Sequence, residues 1–200
     1  MAIVVFSVFS SFFFSYYFLN QNEIDSKIIQ NSLIFDPEKK LASLYGVGEY
    51  GSEHSHAAIM IFIDEHPIDF SHPRFQIASK YIHFENNNPY LIHKHATDVP
   101  LEMLFSSLGT KITKDCIILN YYSETQKRFC SDQEKSLNFY LNGKKYHSTL
   151  SDYVIEKNDR ILISLGDGTH MLEQIEHLNS LMIFNAPKNV PKYSNDVISL

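Results

Sequence analysis

The sequence predicts an α+β domain, mainly β with one packed helix, behind an N-terminal transmembrane helix. Three observations predict it. Short apolar or alternating runs rich in Ile, Phe, Tyr and Val recur between turn signals such as Asn86-Asn87-Asn88-Pro89 and Asn142-Gly143, the pattern of strands and hairpins. One stretch, Thr97 to Gly109, instead carries its apolar residues at helical spacing. The segment from Met1 to Leu19 contains no charged side chain and is dominated by Phe, Val, Tyr and Ile.

A chain of 200 residues suits one compact domain with appendages, and an apolar fraction of 44% is ample for its core. The charged fraction of 20% argues against a mostly disordered chain. Net charge is −6, and the Lys and Arg residues are scattered, so no basic run exists to follow a phosphate backbone. No nucleic-acid partner is expected.

Residues 1–19, at about 1.5 Å rise each, are about long enough to cross a bilayer core as a helix. They lack a basic n-region, and no A-x-A-like cleavage site follows, which favours a retained anchor over a cleaved signal or a buried helix. Lys27, Lys39 and Lys40 follow the segment, and loop charge alone weakly favours a C-terminus inside. The cysteines argue for the opposite side. Cys116 and Cys130 stand where a hairpin can bring them together, closing a loop of about 15 residues at roughly 3 kcal/mol of chain entropy. Two unrelated buried thiols are the alternative. Disulfides persist outside the cytosol, so the expectation is a single-pass protein of the cell membrane with its soluble part extracytoplasmic.

Residues 20–44 read as a polar linker, 45–185 as the β-rich ectodomain and 186–200 as a flexible tail. Ala57 to Ile63 is almost entirely apolar, the mark of a strand buried on both faces. Asp64-Glu65-His66-Pro67 reads as a turn and Ile68-Asp69-Phe70 as a short return strand. A hairpin is expected from Ile77 to Ala96. Ile82 and Phe84 should share a core face with Ile92 and Ala96, leaving Tyr81, His83, Glu85, His93 and His95 on the other. Matching the core faces sets His83 opposite His93, because a one-residue slip would invert one strand.

The helix follows, with Thr97 or Asp98 as cap, Pro100 in the first turn and Gly109 after its end. Strands are expected at Cys116–Asn120, Leu137–Leu141 and Arg160–Leu165, with Asn142-Gly143 as a two-residue hairpin turn. Gly166 to Leu181 suggests a second helix.

The chemistry lies in three pairings: His54-Ser55-His56, His83-Phe84-Glu85 and His93-Lys94-His95. In a strand, residues at i and i+2 share one face about 6.6 to 6.8 Å apart. Two such pairs on neighbouring strands can converge on one ion, whose imidazole ligands sit about 2.0 to 2.1 Å away. His54, His56, His93 and His95 are therefore the expected metal ligands. His83 and Glu85 are expected in the ligand shell or just behind it, where a carboxylate can hold a ligand imidazole by its other N–H. An all-nitrogen set outside the cytosol points to copper or zinc. Met60 and Met103 are better read as packing. His66, His72, His147, His170 and His177 are expected to be structural.

The order of hairpin, helix, Phe139-Tyr140-Leu141-Asn142-Gly143 and Asn158-Asp159-Arg160-Ile161-Leu162-Ile163 resembles a β-grasp module over about residues 81–168. That resemblance concerns fold only. Glu53-His54-Ser55-His56-Ala57, Ile82-His83-Phe84-Glu85 and Ile92-His93-Lys94-His95-Ala96 are together similar to a group of membrane-anchored, extracytoplasmic archaeal proteins with paired H-x-H motifs. Ammonia-oxidising archaea contribute members, and the similarity spans roughly residues 45–170. No established activity comes with it.

Three functional classes remain. One is a membrane-anchored protein that stores, delivers or senses copper or zinc. Another is a metalloenzyme using the same site, for which Glu53 and Glu85 are candidate acid or base by proximity in sequence. The third is an accessory subunit of a larger membrane complex. No G-x-S-x-G, H-E-x-x-H, P-loop or dinucleotide motif is present, and the cysteines lack C-x-x-C spacing.

Overall fold

The computed structural model describes residues 36–183. The chain divides into two compact units, residues 1–40 and 41–200, and only 36–40 of the first are described. The expected anchor at 1–19, most of the linker and the tail at 186–200 lie outside the described residues. Among the described residues, no helix is long and apolar enough to cross a membrane.

The end of the expected linker is a helix, α1, spanning Pro37–Tyr45. Asp36 accepts from the Lys39 N–H at 3.0 Å, and Pro37 stands in the first turn, where its missing N–H leaves no bond unmade. Gly46, at φ +68°, closes the helix. The Val47 N–H donates to the Ala42 carbonyl at 2.9 Å and the Gly46 N–H to Ser43 at 3.3 Å, a Schellman end.

In chain order the following strands are β1 (Ser55–Ile63), β2 (His66–Pro67), β3 (Ile82–Phe84), β4 (Leu91–Lys94), β5 (Thr110–Ile112) and β6 (Cys116–Leu119). After them come β7 (Lys127–Cys130), β8 (Ser136–Leu141), β9 (Lys144–Tyr146) and β10 (Arg160–Gly166). Helix α2 (Leu101–Ser107) separates β4 from β5, and α3 (Met171–Ser180) follows β10. The fold is α+β. The main sheet has the order β3-β4-β1-β10-β8-β9, with β2 folded back on β1, and β5-β6-β7 form a second sheet. Only β1 and β10 run parallel among these pairs.

Strand β1 is buried on both faces, as its continuous apolar run requires. Ala57, Ile59, Ile61 and Ile63 enter the larger core with Leu101, Leu104 and Phe105 of α2, while Ala58 and Phe62 join Leu162 and Leu178 on the other side. Cys116 and Cys130 stand directly opposite on β6 and β7, bridged, with Cα atoms 4.1 Å apart. Asn142 (φ +52°) and Gly143 (φ +76°) make the expected hairpin turn between β8 and β9.

Four local expectations change. Asp64-Glu65 alone turns the chain, Asp64 at φ +59°, so the return onto β1 already begins at His66-Pro67 and ends where the Ile68 N–H donates to the Ile61 carbonyl at 2.8 Å. Tyr81 lies in the core, because it precedes β3 and escapes that strand's alternation. Helix α2 starts at Leu101 without a side-chain cap. Its first N–H groups are taken by a neighbouring backbone instead: Leu101 donates to Tyr153 O at 2.9 Å and Glu102 to Ser151 O at 2.7 Å. The second helix is shorter than expected, since β10 runs on through Gly166 and a turn precedes Met171.

Candidate metal centre

Register builds the site. Across β1 and β4, Ser55 faces Lys94 and His56 faces His93; across β3 and β4, His83 faces His93, as the apolar pattern predicted. His56, His93 and His83 thus form a row over three neighbouring strands on one face of the sheet. That face continues along β1 into Ala58 and Phe62 of the smaller core. His54 and His95 stand one pleat further out.

The five imidazoles close a ring. Successive centroids are 4.4 Å apart for His56–His93, 6.0 Å for His93–His83 and 4.9 Å for His83–His95. His95–His54 at 4.8 Å and His54–His56 at 4.9 Å complete it. Within the ring, His54, His56 and His93 offer ligand atoms that all lie within 4.8 Å of one another, a group able to hold a metal ion. The Nε2 atoms of His54 and His56 are 3.1 Å apart. Two nitrogens on one tetrahedral zinc stand about 3.3 to 3.4 Å apart, so this pair needs almost no adjustment to share an ion. His95 belongs to the ring but not to this group, touching it through His54.

Glu85 binds the row together from the β3 side. One carboxylate oxygen lies 3.5 Å from His93 Nε2, the other 3.6 Å from His83 Nε2. His83 Nδ1 is 2.6 Å from the Ser79 carbonyl. A carbonyl only accepts, so in the neutral ring Nδ1 carries the proton and Nε2 keeps its lone pair. This fixes the tautomer in the way a metal-ligand histidine requires.

Burial is graded across the site. His83 and His93 are buried at 6% and 9% exposure, His56 and His95 are half-buried, and His54 is exposed. Loss of water around His93 pushes its imidazole down to about 4; His56, His83 and His95 add to this and Glu85 opposes it. Burial also holds His56 low, with help from His54, and holds His95 low, with help from His83. Neutral imidazoles are the form that binds metal.

Glu53, a candidate acid or base by its place in sequence, serves elsewhere. It has the alternate parity and receives Lys94 Nζ at 2.9 Å and Ser55 Oγ at 2.7 Å. Burial opposes its ionisation, yet these two bonds hold its carboxyl below the usual range. Lys94 is itself buried and also donates to the Ile155 carbonyl at 2.7 Å. Sequence reasoning missed this lysine, although a charged residue sharing the parity of Ile92 and Ala96 was a sufficient signal. Ser79 was missed as well, and a backbone carbonyl leaves no mark in a sequence. Met103 is buried in the larger core and Met60 packs against the smaller one. Histidines outside the ring have ordinary partners where the structure shows them, His66 lying 3.8 Å from Glu65. His72 accepts from the Arg74 N–H, and His170 lies between Glu65 and Glu173.

Compared with protein-family models, with curated proteins and with solved structures, the chain finds no match in any of the three.

Proposed function

We propose that this chain is a membrane-anchored, extracytoplasmic metal-binding protein that takes copper or zinc at the histidine ring. The observation that carries the reading is the group of His54, His56 and His93, with ligand atoms within 4.8 Å, and His83, His95 and Glu85 beside it. All-nitrogen donors suit zinc and copper better than calcium or magnesium, which prefer oxygen. The Cys116–Cys130 bridge supports a location outside the cytosol. The charge-free segment at residues 1–19 supports the anchor.

The strand order supports the β-grasp reading and extends it. A first hairpin-like pair (β1, β4), a crossing helix (α2), a second hairpin (β8, β9) and a last strand inserted parallel to the first is the β-grasp plan. Its first strand is β1, which lies before the residues 81–168 of the expected module, and β3 of the expected Ile77–Ala96 hairpin is an added edge. The likeness to the archaeal H-x-H group rests on the same histidines.

Metal analysis of the purified full chain, before and after chelation, tests the function. Tight, stoichiometric copper or zinc that disappears in H93A/H95A supports it; a chain with no bound metal and no uptake sinks it. A metalloenzyme is the second reading. His54 is exposed and His95 half-buried, so water reaches the ring, and solvent access is what a catalytic metal with an open position needs.

A further inference from the structure

We propose that the ring holds two metal ions rather than one, bridged by the carboxylate of Glu85. The proposal rests on the reading of these histidines as metal ligands. Three observations lead to it.

The first is width. His56 and His83 sit on β1 and β3, with β4 between them. Two strand spacings amount to about 9.6 Å. Two ligand nitrogens on a single ion stand at most about 4 Å apart. A single ion drawing on both ends of the row would have to pull two strands' side chains together across a third.

The second is the donor count. Five imidazoles and a carboxylate face one another in a closed ring. Zinc and copper sites of this donor type are satisfied by about four ligands. A single ion would leave two of these six donors outside its shell, although buried His83 has Nδ1 held by the Ser79 carbonyl and Nε2 turned toward Glu85, the orientation of a ligand.

The third is how the donors divide. His54, His56 and His93 make one group, within 4.8 Å. His83 and His95 are the two rings outside that group, their centroids 4.9 Å apart, with His95 also 4.8 Å from His54. Glu85 points Oε1 at His93 of the first group, 3.5 Å away, and Oε2 at His83 of the second, 3.6 Å away. One oxygen toward each group is the geometry of a bridging carboxylate, which in two-metal sites spans ions about 3.5 to 4 Å apart. The Ser79 carbonyl, by holding His83 Nδ1 at 2.6 Å, aims the free Nε2 toward the second position.

The first ion then has four protein donors: His54, His56, His93 and one oxygen of Glu85. The second has three: His83, His95 and the other oxygen. The second ion therefore keeps a position for water or an exogenous ligand, and the first does not. That open position lies at the His83–His95 side.

The test is a count. Full-length protein is stripped with chelator, titrated with Zn²⁺, desalted and analysed for bound zinc. Two ions per chain are expected, falling to one in H83A/H95A and to one in H54A/H56A. One ion in the unaltered chain overturns the pair while sparing the metal-binding reading, as does a count of two that survives H83A/H95A. No bound ion at all overturns both. Because His83 is buried and its removal can harm folding, the unaltered chain is also loaded with Cu²⁺ and examined by electron paramagnetic resonance. A spin-coupled pair is expected, and a spectrum of isolated Cu²⁺ alone overturns the proposal.

Discussion

His56 and His93 face each other directly across the β1–β4 pair, their ring centroids 4.4 Å apart. They stand 37 positions apart in sequence, yet they are the closest ring pair of the histidine ring. One comes from each H-x-H motif, so this contact is what joins the two motifs into one site.

His56 is therefore the cleanest place to separate binding from folding. It is half-buried, and its ring neighbours are the imidazoles of His54 and His93. His56→Ala should weaken Zn²⁺ or Cu²⁺ affinity by at least about 100-fold while changing stability by no more than about 1 kcal/mol. Paired metal titration and denaturant melts of the metal-free variant check this. Unchanged affinity would exclude His56 as a ligand.

Glu85→Gln should keep the fold and lower metal affinity by at least about 10- to 100-fold, the range for losing a group behind the ligands and so the lower bound for losing a ligand oxygen. The amide still fills the space between His83 and His93 but carries no charge to offset the ion. A variant with unaltered affinity would show that Glu85 is only a surface carboxylate.

Acid should destabilise the metal-free protein, and the sign follows from burial. His93 is held at about 4 in the folded chain, and His56 and His95 are also held below 6.5. Unfolded, each protonates near its ordinary value of about 6.5. Between 6.5 and about 4 the unfolded chain binds more protons, so stability falls as pH falls through that window. Denaturant midpoints after chelation, at about pH 7, 5.5 and 4, should decrease in that order; a midpoint that rises on acidification contradicts the burial of the ring.

Lys94→Met should cost about 2 kcal/mol, because it strands the Ile155 carbonyl and deprives Glu53 of its cation. Adding Glu53→Gln should recover part of the loss, and a double-mutant cycle measures the coupling. Additive effects would mean that the pair is not energetically linked.

Reduction of the Cys116–Cys130 bridge should lower stability by roughly 3 kcal/mol, the chain-entropy value for a loop of about 15 residues. Urea melts with and without reductant give the difference. Coincident melts would mean that the β6–β7 hairpin holds as firmly without the bond.

The parts of this protein that local chemistry governs were legible in the chain. Period two put both members of each H-x-H pair on one face, and the apolar alternation of Ile82, Phe84 and Ile92 set His83 against His93. Asn142-Gly143 specified its turn, and Asp36-Pro37 carries a helix-start signal within residues 20–44 that otherwise read as linker. The bridge between Cys116 and Cys130 was also within reach, because a hairpin is a local structure.

Tertiary structure decided the rest. Alternation says which side of a strand His56 occupies but not which strand lies beside it, and only the non-local β1–β4 pairing brought His54 and His56 to His93. The same holds for the start of α2. Its N–H groups found carbonyls at Ser151 and Tyr153, so Thr97 and Asp98 were not needed as caps. Glu53 turned to a buried lysine rather than to the histidines for a related reason. A charge taken out of water must find its counter-charge, and the partner is whichever one the fold places within reach.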